Sequence, residues 1–198
     1  HTEPAEEAHF MSDNIIVIDG KELSFHPGQT ILEVAEAHGI HIPTLCHLKG
    51  ATPTGACRIC LVEVEGARAL VTSCSTPAAT NMVVKTHSPR VMDARRLNLE
   101  LLLASGHHNC LAKDGDLDSW TDTQLRAMAA RGHEDLCPAY GSCRLQDLAI
   151  QYQVSAGRFE TQEPMYGIED VNPLIVRDFS RCILCGRCVR MCAEQMMG

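Results

Sequence analysis

Strand-like runs of apolar residues fall at positions 15–18, 24–25, 61–64, 69–72 and 82–84. Asp19-Gly20 separates the first two, a dipeptide suited to a tight hairpin turn. Between this hairpin and the first cysteine the period changes. Ile31, Val34 and Ala35 follow helical spacing, Thr30 with Glu33 spells a capping box, and Gly39 closes the segment. A hairpin, one helix and further strands predict a β-grasp arrangement.

Beyond residue 88 the pattern turns helical. Residues 90–104 predict a helix with Val91, Ala94, Leu97, Leu101 and Ala104 on its apolar face, ending at Gly106. A second helix is expected over 144–153, packing Leu145, Leu148, Ala149 and Tyr152, and a short one follows the capping box Thr121/Gln124. Residues 161–178, with Pro164, Gly167 and Pro173, read as a connector. The expected class is α+β: an extension at 1–13, a β-grasp domain at 14–88, a small helical domain at 89–160, and a connector with a cysteine-rich segment at 161–198. No internal repeat and no low-complexity tract occurs.

Composition narrows the function. The charged fraction of 21% and hydrophobic fraction of 45% are ordinary, but aromatic residues make up only 4%. A formal charge of −8 disfavours nucleic acid, which needs a basic footprint. No apolar run approaches the roughly 18–20 residues of a membrane span. The eleven cysteines change the picture most. Their number is odd, many stand in C-x-x-C steps, and residues 1–10 lack an apolar signal region, all of which argue against a secreted disulfide framework. A reducing, cytoplasmic compartment, where thiols stay available for metal, fits better.

The first group is Cys46, Cys57, Cys60 and Cys74, spaced C-x10-C-x2-C-x13-C. Four thiolates can hold a [2Fe-2S] cluster, and the small residues Gly50, Gly55 and Ala56 let backbone N–H groups approach its sulfurs. Structural zinc usually uses two facing C-x2-C knuckles. One knuckle flanked by two solitary cysteines favours the cluster.

The second group is Cys110, Cys137 and Cys143, with His107 and His108 just ahead of Cys110. Adjacent surface histidines are commonly just solvated. Here, however, three cysteines are one ligand short of a [4Fe-4S] site, and a neutral imidazole could complete it and raise its potential, as in Rieske centres. The third group, Cys182, Cys185, Cys188 and Cys192, has the spacing C-x2-C-x2-C-x3-C, a specific signal for a further [4Fe-4S] cluster. In two-cluster ferredoxins the fourth cysteine of such a run serves the other cluster. No partner run is present here. Cys192 therefore closes the same cluster, serves another, or stays unligated, and the segment reads as the start of a bacterial-ferredoxin-like domain.

This order of motifs resembles the N-terminal iron–sulfur region of a large redox family. Its members include [FeFe]-hydrogenases, the diaphorase iron–sulfur subunit of NAD-reducing hydrogenases, the α subunit of NAD-dependent formate dehydrogenases and the large iron–sulfur subunit of NADH–quinone oxidoreductase. The resemblance runs from about Asn14 to Met191. It rests on Ile42-Pro43-Thr44-Leu45-Cys46, Cys57-Arg58-Ile59-Cys60, Gly106-His107-His108-Asn109-Cys110, Leu145-Gln146-Asp147-Leu148 and Cys182-Ile183-Leu184-Cys185-Gly186-Arg187-Cys188. It implies the four first-group cysteines as [2Fe-2S] ligands, and the pattern Gly-x-His-x-Cys selects His108 for the second cluster. The chain departs from these relatives in the 26 residues between Cys110 and Cys137, where they carry C-x2-C.

The resemblance implies an electron-relay subunit of a cytoplasmic multisubunit oxidoreductase. Its expected partners are a flavin/NAD(H)-binding iron–sulfur subunit and a catalytic redox subunit such as a hydrogenase or formate dehydrogenase. The alternative is the N-terminal portion of the catalytic polypeptide itself. No dinucleotide-binding or phosphate-binding glycine loop occurs, so no substrate-transforming residues are expected in the chain.

Overall fold

Asp19 and Gly20 both hold left-handed backbone, with φ of 50° and 80°, the twist that a two-residue hairpin turn needs. They join β1 (Ile15–Ile18) to β2 (Lys21–Ser24) in antiparallel register, with Ile18 opposite Lys21. This is the start of a computed structural model that describes residues 14–106, 108, 139, 142–154, 158–159, 168–172 and 174–196. The chain divides into two units: His1–Pro43 with Cys60–Val91, and Thr44–Ile59 with Met92–Gly198.

In the first unit, α1 (Ile31–Ala37) follows the hairpin. The Thr30 hydroxyl accepts from the Glu33 N–H at 3.2 Å, and the Glu33 carboxylate accepts from the Thr30 N–H at 2.7 Å. The expected capping box is therefore closed in both directions. Three further strands, β3 (Leu61–Val64), β4 (Val71–Thr72) and β5 (Val83–Lys85), complete a mixed sheet of order β2-β1-β5-β3-β4. Only β1 and β5 run parallel, pairing Val17 with Val83 and Ile18 with Val84. A mixed sheet with one helix fits a ferredoxin-like domain. The strands expected at 24–25, 69–72 and 82–84 are displaced by one to three residues, because hairpin and loop geometry sets where pairing stops. Ile16, Ile18, Ile31, Val34, Val62 and Val84 form the core, and Cys60 and Cys74 are buried against it.

The second unit is built on α2 (Pro89–Ala104) from Met92 onward and on α3 (Arg144–Gln151). Pro89 opens α2 at a position where its missing N–H costs nothing, and the Ser88 hydroxyl accepts from the Val91 N–H at 3.3 Å. The apolar face expected for α2 is right at Val91 and Ala104, which are buried, and wrong at its middle. Leu97 and Leu101 are 40% and 45% exposed, while Val91, Arg95, Leu99 and Leu103 are fully buried. Leucines occur all round this helix, so apolar periodicity does not select a face. A buried arginine marks the packed one. Along α3 the expected Leu145, Leu148, Ala149 and Tyr152 are buried and join Leu45, Ile59, Leu99 and Leu103 in one core.

The connector expected at 161–178 contains a hairpin, β6 (Ile168–Asn172) and β7 (Ile175–Asp178). Pro173 was a reason to read a break. The strand ranges stop at Asn172 and resume at Ile175, and the Asn172 carboxamide oxygen accepts from the Leu174 N–H at 2.8 Å. A 3₁₀ turn at Phe179–Arg181 follows, then the four-residue α4 (Arg187–Arg190) and a π-helical turn at Met191–Gln195. The helix expected after Thr121 lies outside the described residues. Among those described, no helix is long and apolar enough to cross a membrane.

Candidate metal centres

The first-group cysteines are nearly or fully buried, Cys46, Cys60 and Cys74 at 1% exposure and Cys57 at 6%. In the first unit the chain leaves β3 and returns through β4. This pairing sets the Ser73 N–H against the Cys60 carbonyl at 3.0 Å and brings the Cys60 and Cys74 sulfurs to 3.3 Å. In the second unit the Cys46 N–H donates to the Cys57 sulfur at 3.4 Å. No disulfide joins the described cysteines.

The second-unit pair is also electrostatically coupled. Hydrogen bonding from the Cys57 thiol holds Cys46 down at about 5, against the opposing effect of burial. The same bond, with burial, pushes Cys57 far above the ordinary thiol range. Metal binding takes thiolates, so a metal would have to displace the Cys57 proton. Among the described residues no three His, Cys, Asp or Glu side chains form a site for a single metal ion. Buried cysteine thiols are the donors that a [2Fe-2S] group takes, so the chemistry of these side chains fits it.

Of the second group, His108 and Cys143 are described, while His107, Cys110 and Cys137 lie outside the described residues. His108 is buried, and its backbone N–H turns back onto the Gly106 carbonyl at 2.9 Å. Both His108 and Cys143 line a cavity of about 250 Å³, together with Leu45, Ile183 and the third-group Cys185. Arg144, Arg181 and Arg187 stand on the same wall, a cationic setting for an anionic guest. His108 and Cys143 thus line the same cavity.

In the third group Cys182, Cys188 and Cys192 are exposed and Cys185 is half-buried. Left-handed backbone at Leu184 (φ 53°) and Gly186 (φ 69°) folds the first two steps into a tight loop, and the Leu184 N–H donates to the Cys182 sulfur at 3.4 Å. A second cavity, of about 290 Å³, has Cys57 and Cys182 on its wall with Asn98, Leu102 and Ser105.

Two arginines with structural roles at these loops escaped the sequence reading. Arg95 donates from Nε to the Ile59 carbonyl at 3.0 Å and from a terminal nitrogen to the Tyr152 hydroxyl at 3.1 Å. Arg190, between Cys188 and Cys192, is buried and donates to carbonyls of the Cys46 loop. For Arg95 a signal existed: it stands four residues from both Val91 and Leu99, on one helix face. For Arg190 no local pattern points to partners more than a hundred residues away.

Comparison with known proteins places these cysteines in context. Residues 15–89 match the model of the 2Fe-2S iron-sulfur cluster binding domain. The chain is 30% identical to the gamma subunit of the NAD-reducing hydrogenase HoxS of Cupriavidus necator, over 92% of this chain and 67% of that protein. It is 38% identical to the HndD subunit of the NADP-reducing hydrogenase of Solidesulfovibrio fructosivorans. To an NADH-quinone oxidoreductase subunit of Rhizobium meliloti it is 35% identical. These two matches cover 92% and 90% of this chain but span only 28% and 18% of the two relatives. The crystal structure of an NAD+-reducing [NiFe]-hydrogenase in the H2-reduced state superposes with a TM-score of 0.73 at 32% identity, covering 91% of this chain and 66% of the hydrogenase chain.

Proposed function

Because the chain belongs to the family of iron–sulfur subunits of NAD-linked hydrogenases and NADH–quinone oxidoreductases, we propose that it is the electron-relay component of a cytoplasmic multisubunit oxidoreductase. Its proposed partners are a flavin/NAD(H)-binding iron–sulfur subunit and a catalytic redox subunit, a hydrogenase or a formate dehydrogenase. The observation that carries this reading is the burial of the four first-group cysteines as two close thiol pairs within a matched 2Fe-2S domain.

Cys46, Cys57, Cys60 and Cys74 would hold the [2Fe-2S] cluster. His108, Cys110, Cys137 and Cys143 would hold a [4Fe-4S] cluster, and Cys182, Cys185, Cys188 and Cys192 would supply a further one. Bound clusters of these kinds supply one-electron chemistry at potentials set by ligand charge, hydrogen bonding and burial. The protein's own contribution is to exclude water around the first-group sulfurs, to donate the Cys46 N–H to sulfur, and to surround the His108 cavity with guanidinium groups. The residues 1–13, 14–88, 89–160 and 161–198 remain the proposed functional segments.

Anaerobic isolation of the protein with its natural partners tests the proposal. Iron and acid-labile sulfide should be present, and the clusters should be reduced when the partners' substrate, NADH or hydrogen, is added. Zinc without sulfide would overturn it. A second reading treats these residues as the iron–sulfur portion of a longer catalytic polypeptide. It is favoured by the match that spans 28% of the Solidesulfovibrio hydrogenase subunit. The mass of the source protein under denaturing conditions separates the two.

A further inference from the structure

Arg190 leaves α4 between two proposed ligands, Cys188 and Cys192, yet its side chain is only 8% exposed. One terminal guanidinium nitrogen donates to the Thr52 carbonyl at 2.6 Å. The other donates to the carbonyl of Cys46 and, at 3.4 Å, to that of Cys185. Two neighbours on the same turn extend the contact. The Gln195 carboxamide donates to the Gly50 carbonyl at 2.6 Å, and the Glu194 carboxylate accepts from the Thr52 N–H at 2.7 Å. All these residues belong to the unit of Thr44–Ile59 and Met92–Gly198.

A buried guanidinium is costly unless an opposite charge or well-aimed dipoles compensate it. Among the described residues no carboxylate lies within ion-pair distance of Arg190, and the partners in its hydrogen bonds are carbonyl dipoles. A cluster held by thiolates would supply the missing charge, since it is a net anion that becomes more anionic on reduction. We propose that Arg190 is a positioning residue that ties the Cys46 loop to the Cys185 loop and acts as the shared counter-charge of the clusters those loops hold. The inference rests on the reading of Cys46 and Cys185 as ligands. The planar fork of arginine suits the role, since its separate donors reach three carbonyls at once while its charge is permanent. Removing it should disfavour the reduced form of both centres, because reduction adds negative charge beside a site that has lost its cation.

The test compares the anaerobically purified, cluster-loaded full chain with Arg190→Gln and Arg190→Lys, measuring iron and sulfide content and following redox titrations by EPR. We expect Arg190→Gln to retain its iron while the midpoint potentials of both the [2Fe-2S] centre and the C-terminal centre shift downward. Arg190→Lys should return them toward the parent values. Unchanged potentials in the Gln variant, or equal shifts in Gln and Lys, overturn the inference. Should the Gln variant fail to load, the Lys variant decides. Loading at parent potentials supports a cationic role, whereas failure of Lys as well shows a residue needed only for folding. Absence of iron from the parent chain would instead remove the ligand reading itself.

Discussion

The Nε of Arg95 on α2 donates to the carbonyl oxygen of Ile59, inside the Cys57-Arg58-Ile59-Cys60 step, at 3.0 Å. The same guanidinium reaches the Tyr152 hydroxyl just beyond α3, and Arg96 donates to the Tyr152 carbonyl at 3.3 Å. One fully buried arginine therefore joins two helices to a cysteine loop. Replacing it with methionine keeps much of the volume but removes charge-assisted hydrogen bonds from a buried site. Arg95→Met should lower unfolding stability by about 3 kcal/mol. Denaturant unfolding of the parent and variant checks this. A change below about 0.5 kcal/mol, the usual range for a surface substitution, would show that the arginine does not brace the loop.

The capping box of α1 provides a milder perturbation in the other unit. Thr30→Ala removes the hydroxyl that accepts from the Glu33 N–H. The expected cost is about 1 kcal/mol, against only about a few tenths for Thr30→Gly and little for Thr30→Ser. Glycine is the milder loss because it adopts the cap backbone readily and leaves the freed amide open to water. Thermal unfolding of the three variants checks the order. A serine variant as unstable as the alanine one would show that the hydroxyl does not cap the helix.

Local rules were enough to reveal this cap. Thr30, Glu33 and Gly39 lie within ten residues of one another, and their interactions depend only on chain geometry. The Asp19-Gly20 turn was legible for the same reason. The face of α2 was not, because its leucines surround the helix and the packed face carries Arg95, a residue whose charge argues for solvent although its spacing from Val91 and Leu99 places it with them. The β6–β7 hairpin was hidden by Pro173, because a proline in a sequence argues against a strand. Cysteine spacing identified the candidate ligands. The carbonyls that Arg190 reaches are distant in sequence and carry no residue-type signal, since every residue has a carbonyl.

The assignment of His108 predicts different outcomes for adjacent histidines. His108→Cys should retain a four-iron centre but lower its potential, because a thiolate adds negative charge where imidazole was neutral. His108→Ala should yield a centre that loses one iron in air, while His107→Ala should change neither iron content nor potential. Iron analysis and EPR after brief air exposure provide the readout. Loss of the centre in the His107 variant alone would move the ligand by one residue.

Reduced-state EPR of Cys57→Ala beside the parent chain tests the central claim most directly. The Cys57 sulfur accepts from the Cys46 N–H, and Cys57 stands in the only C-x-x-C step of the first group. The parent should show a [2Fe-2S] signal on reduction, obtained with a strong reductant because plant-type centres lie near about −400 mV. The account predicts that this signal is absent from Cys57→Ala while the four-iron signals remain. An unchanged [2Fe-2S] signal in that variant would contradict it.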